Sequence, residues 1–177
     1  MNRPLMTRRI ALSAMVGAVY AILTVALAPI SYNAVQLRVS EVLCILPFFL
    51  PCTAWGLVIG CLLSNLITAN LFDIVFGTLA TLCAVHVTAW LGKRRHSIAN
   101  ELLACFQPVV FNALIVGAVI TAGYEGLNIL QHPRVYALNA LWVGLGEAGV
   151  LYLLGFPLMR WLPGQKFFQK TMNRVNR

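Results

Sequence analysis

Long runs of uncharged, apolar residues, bounded by basic side chains, leave this chain few ways to fold. The runs cover residues 10–30, 42–72, 74–92 and 102–123, and a fifth, 135–159, carries a single charge, Glu147. About twenty apolar residues in a helix cross the hydrocarbon of a bilayer, because a helix pairs its own backbone N–H and C=O groups. Eleven of the thirteen Lys and Arg lie in three clusters: Arg3, Arg8 and Arg9; Lys93, Arg94 and Arg95; and 160–177. Basic residues gather on the cytoplasmic side of membrane spans, so the clusters set orientation. The two remaining basic residues, Arg38 and Arg134, stand alone on the opposite side.

Composition agrees. Sixty per cent of residues are hydrophobic and ten per cent charged, where a soluble domain carries about a quarter charged. The net charge of +8 invites a nucleic-acid reading. The basic residues flank spans rather than forming one face, so they are read as topological, and no nucleic acid is expected. The first run is long enough to span and lacks a small-residue cleavage site, so it is read as a helix rather than a signal peptide. Cys44, Cys52, Cys61, Cys83 and Cys105 lie in or beside apolar runs without C-x-x-C spacing and read as small hydrophobes. His86, His96 and His132 are scattered, so no metal site is expected. The length suits one integral membrane domain, 1–177, with no appended soluble domain and no cofactor.

The number of spans turns on 42–72, which Pro47 and Pro51 interrupt. As an α-helix it would be roughly 45 Å long, too much for one crossing and little for two. Parity decides. If the N-terminus and Lys93–Arg95 are both cytoplasmic, an even number of crossings separates them, so this stretch must go in and come back. Proline removes a donor and crowds the preceding turn, which puts the break near Pro51. The expectation is an all-α membrane protein of six helices, about 8–30, 41–50, 53–68, 74–92, 102–123 and 136–160. Both termini then lie in the cytoplasm.

This arrangement collects a polar set at or near the outer edge: Gln36, Arg38, Glu41, Asn65, Asp73, Asn139, Trp142 and, deeper, Glu147. Glu125, Asn128, Arg134 and Asn70 share that edge. A carboxylate inside a span faces a partner or a water-filled cavity, so Glu147 reads as a binding or relay residue, or as a carboxylate satisfied by its neighbours. At 100° per residue Tyr136, Asn139 and Glu147 share an arc of about 80°, whereas Trp142 points elsewhere and suits an interfacial anchor or a stacking platform. Arg38 and Glu41 are spaced for a local ion pair at a helix start or for ligand binding. Asp73 is placed to N-cap the next helix. Asn65 reads as a substrate contact or an interhelical bond, and Asn112 and His86 as interhelical bonds. In the first helix Ala14-x-x-x-Ala18, overlapped by Ser13-x-x-x-Gly17, makes a small-residue face for packing within the bundle or for docking a separate membrane subunit.

Several strings together resemble a known family. Ala34-Val35-Gln36-Leu37-Arg38-Val39-Ser40-Glu41, Leu46-Pro47-Phe48-Phe49, Asp73-Ile74-Val75-Phe76-Gly77-Thr78-Leu79-Ala80-Thr81-Leu82 and Gly146-Glu147-Ala148, after an Ala-x-x-x-Ala first helix, are similar to the QueT family. These are S components, the substrate-binding subunits of energy-coupling factor (ECF) transporters, and the resemblance runs from about residue 8 to 160. It implies a six-helix protein of the bacterial cytoplasmic membrane, surrounded by lipid, that captures queuine or prequeuosine 7-deazaguanine bases from outside. It also implies partners: a transmembrane T component and two ABC ATPases, which hold the ATP and drive reorientation of the S component. Asn33, where a small residue is expected, and Cys52-Thr53 depart from the pattern.

The chain has no G-x-x-x-x-G-K-[ST] loop, so a binding subunit and not an enzyme is expected. A 7-deazaguanine presents adjacent N–H donors that one carboxylate accepts, a carbonyl for an amide or Arg, and a flat face. Glu147 is therefore assigned the guanine-like edge, and Asp73 or Glu41 a second donor or a cation. Gln36, Arg38, Asn65 and Asn139 complete the shell, and Ala14 and Ala18 face the T component. The alternatives are an S component for another vitamin such as thiamine or folate, an intramembrane enzyme using Glu147, Asp73 or His86, and an assembly factor.

Overall fold

The computed structural model describes residues 3–27, 38–67, 71–94 and 97–175, and these are helical with short connections. Helix α1 is Arg3–Ala26, α2 is a 3-10 helix over Val39–Phe48, and α3 is Thr53–Ile67. Asp73–Gly92 forms α4, Ile98–Tyr124 α5 and Pro133–Gly164 α6. A last helix, α7, runs over Lys166–Val175. Four of these, α1, α4, α5 and α6, are long and apolar enough to cross a membrane, and α2 and α3 are shorter apolar helices. The break at Pro51 is present, as a turn joining α2 to α3.

The expected short α-helix at 41–50 is instead a 3-10 helix beginning at Val39. The tighter winding rises about 2.0 Å per residue, so ten residues reach ~20 Å where an α-helix would reach ~15 Å. It also aligns every third side chain. Val42, Ile45 and Phe48 form one row in the main apolar core, while Glu41 and Cys44 form a polar row. The extra reach matters because α1 and α3 run parallel. A Cβ at Gly56 would collide with the Ser13 carbonyl, and one at Gly60 with that of Gly17. The contacts thus advance together along both helices, and α2 must bring the chain back between them. Its end lies against the far end of α4, where a Cβ at Gly92 would collide with the Phe48 carbonyl.

Helices α4, α5 and α6 then alternate in direction. Thr88 of α4 donates to the Ala104 carbonyl of α5 at 3.4 Å, and at the opposite end Tyr124 of α5 reaches Asp73 of α4. Each of the three helices contains a π-helical turn: Asp73–Gly77, Ile120–Tyr124 and Leu151–Gly155. Such turns widen a helix locally and recur at functional sites.

Helix α7 was not expected from the basic tail. It is amphipathic, turning Phe168 and Val175 into the bundle and leaving Lys170 and Arg174 exposed. Phe168 packs edge-on to Phe49, with ring centres 5.6 Å apart, and the Arg9 Nε donates to the Val175 carbonyl at 2.8 Å. Nearby, Arg160 pairs with Glu101 at 3.2 Å and the Arg94 guanidinium lies 3.7 Å from the Trp90 ring centre. Basic residues from α1, the α4–α5 turn, α6 and α7 therefore share one end of the bundle.

Candidate functional site

At mid-depth α1, α2, α5 and α6 converge on charges that have no access to solvent. Arg38, Glu41 and Glu147 are each no more than 1% exposed. Glu41 extends from the polar row of α2, where its carboxylate accepts from the Tyr20 hydroxyl on one oxygen and the Cys44 thiol, at 3.0 Å, on the other. One turn along α1, Thr24 donates to Ser40 at 2.6 Å. Glu147 sits on α6 opposite Asn112 of α5, whose amide donates to its Oε1 at 3.1 Å.

Three acceptor positions in this interior stay open. Glu147 Oε2, Asn112 Oδ1 and Asp73 Oδ1 are buried without a hydrogen-bond partner. An unpaired buried polar atom costs about 1–3 kcal/mol, more for a charged group, so three in one interior mark it as the candidate binding site. With its NH₂ turned to Glu147, the Asn112 amide leaves its own oxygen over.

A second polar group lies toward the end of the bundle away from the α4–α5 turn. Asp73 is 2% exposed, and its Oδ2 accepts from the Tyr124 hydroxyl at 2.6 Å. The two π-turns are thus fastened together. Asn65 donates to the Asp73 carbonyl at 2.8 Å and to Cys61 Sγ at 3.5 Å, and Thr81 donates to the same sulfur at 3.2 Å. Gly77 leaves room between these groups. A Cβ there would stand 3.1 Å from the Asn65 amide nitrogen and 3.8 Å from an Arg38 guanidinium nitrogen. Asp73 is not the helix cap its sequence position suggested. It lies inside the helix, within the π-turn, where the wider turn carries its side chain inward.

The expected shell is therefore brought together in part. Arg38, Glu41 and Glu147 share the inner group, Asn65 and Asp73 the outer one. Asn139 sits at the rim, donating to Thr121 at 3.0 Å and Glu125 at 3.1 Å. The shared face of Tyr136, Asn139 and Glu147 is real, since all three side chains bond to α5 or its π-turned end. Trp142 stands apart, half exposed on the outside of α6. Gln36 lies outside the described residues, as do Asn70 and Asn33. Asn112 makes the interhelical bond expected of it. His86 does not: its Nδ1 donates within its own helix, to the Leu82 carbonyl at 2.8 Å, and the ring is exposed beside that of Trp55.

Sequence reasoning missed Tyr20, Thr24, Cys44, Cys61 and Tyr124. A signal existed for the first two. Ser13, Gly17, Tyr20 and Thr24 follow the three-and-four spacing of one helical face, and that face points inward. Its small members let α1 and α3 touch and its polar members serve the site. Ala14 and Ala18 lie beside it, exposed, along an open groove of about 560 Å³ lined also by Trp55, Ile59 and Leu63.

The family model described as QueT transporter matches residues 10–163. The curated "Queuosine precursor transporter QueT" of Lactococcus lactis subsp. cremoris (strain MG1363) is 41% identical over 71 residues. That alignment covers 39% of this chain and 42% of the relative, so the chain matches less than half of that protein's length. No solved structure matches the chain. The family match takes in the whole interior just described, from Tyr20 on α1 to Glu147 on α6: the chain belongs to the QueT transporter family.

Proposed function

We propose that this chain is the S component of an ECF-type importer, capturing queuosine precursors, queuine or prequeuosine 7-deazaguanine bases, from outside the cytoplasmic membrane. In this reading six helices cross the bilayer, with both termini and the basic end in the cytoplasm. A T component and two ABC ATPases supply the energy, and the subunit reorients on the T component to deliver its ligand inward. Its role is selective binding and translocation, without catalysis.

One observation carries the substrate reading: Glu147 is buried and held at Oε1 by Asn112, and its Oε2 and the Asn112 oxygen are both without a partner. Two acceptors on side chains joined by one hydrogen bond suit the neighbouring N1–H and exocyclic amine of a guanine-like edge, and in a low-dielectric interior each such bond is strengthened. Arg38, whose guanidinium approaches Gly77, offers a donor to the carbonyl of the same base. The exposed Ala14–Ala18 face, clear of the inward stripe of α1, supports docking of the T component there.

The test is a thermal-shift screen of the purified protein in detergent with queuine, prequeuosine bases, guanine, thiamine, riboflavin, folate and biotin. Stabilisation by the 7-deazaguanines is expected, and Glu147→Gln should weaken their binding at least tenfold by presenting an NH₂ to a donor edge. A response only to thiamine, folate or another vitamin would transfer the S-component role to that ligand. Full affinity in the glutamine variant would remove Glu147 from the site.

A further inference from the structure

Only one side of helix α7 serves the bundle. That side buries Phe168 and Val175, and the helix is held along its length. The Gln169 amide donates to the Pro163 carbonyl at 2.8 Å, the Phe168 ring meets Phe49, and Arg9 donates to the Val175 carbonyl. Gln165 alone separates α7 from α6, so the helix starts at the edge of a membrane span.

The other side is organised too. At 100° per residue Lys166, Lys170 and Arg174 fall within an arc of about 80°, turned away from Phe168 and Val175. All three are exposed, and among the described residues none of them makes a hydrogen bond or an ion pair. The acid at this end, Glu101, is already taken by Arg160, and Arg94 lies over Trp90. Phe167 stands beside the basic row and is 79% exposed; Trp90 and Trp161 are exposed at the same end. Water serves such cations but not the ring, and an acidic protein surface serves the cations alone. A bilayer surface serves both, with phosphates at one level and hydrocarbon just beneath. Exposed tryptophans gather at that boundary, and the apolar stems of Lys and Arg let their charges reach sideways to it.

We propose that α7 lies in the headgroup layer at the basic end of the bundle and binds anionic lipid. Lys166, Lys170 and Arg174 meet the lipid phosphates, and Phe167 enters among the upper carbons of the acyl chains. In the orientation of the proposed function this is the cytoplasmic leaflet, but the contact itself does not depend on that orientation or on the substrate.

Native mass spectrometry of the full chain, extracted from bilayers of phosphatidylcholine with a minor share of phosphatidylglycerol, tests this. Retained phosphatidylglycerol should be enriched about fivefold over its share of the bilayer. Lys166→Gln, Lys170→Gln and Arg174→Gln together should cut the enrichment to about twofold or less, whereas Arg3→Gln with Arg8→Gln, on α1, should keep it. The three α7 positions are exposed, and an unchanged thermal midpoint in phosphatidylcholine alone checks that the fold is intact. No enrichment in the wild type, or full enrichment in the α7 variant, would overturn the proposal. An equal loss in the α1 variant would overturn it in favour of diffuse charge. Loss of the lipid to excess inorganic phosphate would overturn it in favour of a free-anion site. Binding of 7-deazaguanines is read separately, so either proposal can fail while the other stands.

Discussion

Asn112 holds one oxygen of Glu147 and leaves its own oxygen open, so a single amide both supports the carboxylate and extends the acceptor surface. Replacing it with Leu strips the buried carboxylate of its donor, a loss of about 1–3 kcal/mol, the cost of leaving a buried acceptor unsatisfied. Asn112→Leu is expected to lower the thermal midpoint of the ligand-free protein. Adding Glu147→Leu should recover part of that loss, since the second change removes the stranded charge. A purely additive pair in a double-mutant cycle would show that the two side chains are uncoupled. At this scale the sequence was informative about charges and poor about their companions. Glu147, Asp73, Glu41 and Arg38 stood out because an ionisable group in an apolar run has few explanations. Tyr20 and Tyr124 did not, since an uncharged tyrosine within an apolar run or at its end has many ordinary roles, and only the fold shows which carboxylate it meets.

Among the elements, the α1–α3 pair depends on the absence of side chains at Gly17, Gly56 and Gly60. Gly56→Val would force the helices apart at the point where the Ser13 carbonyl meets α3, at a cost of about 2 kcal/mol or more. The expected readout is a lower thermal midpoint, together with weaker ligand binding, because Tyr20 on the same face of α1 would be drawn from Glu41. A variant with unchanged stability would mean that the crossing tolerates separation. The long helices were legible because apolar length and flanking charge are properties of the sequence itself. The pairing of α2 and α3 followed from parity and Pro51. The 3-10 winding of α2 was hidden in a period of three, with Val42, Ile45 and Phe48 in one row and Glu41 and Cys44 in the next, within a segment too short for the period to stand out. The π-turns left no comparable trace, since they depend on contacts between helices.

For the whole molecule, the proposed S-component role turns on which surface would meet a T component. The inward stripe of α1 is used within the bundle, whereas Ala14 and Ala18 remain exposed along the groove beside α3. Substituting both with Trp fills that groove without entering the buried polar interior. Ala14→Trp plus Ala18→Trp is expected to abolish co-purification with the T component while ligand affinity stays within about threefold, a change of well under 1 kcal/mol. Loss of both together would assign the face to packing within the chain.

The bond from Arg9 to the Val175 carbonyl joins residues 166 positions apart. This has a consequence in time. Contacts so distant in sequence form late, because the intervening chain must be ordered first. The crossing of α1 on α3 can assemble while much of the protein is still being made, but the clasp between Arg9 and α7 closes only after α4, α5 and α6 have been synthesised. Until then the first helix is held against α3 without its clasp to α7.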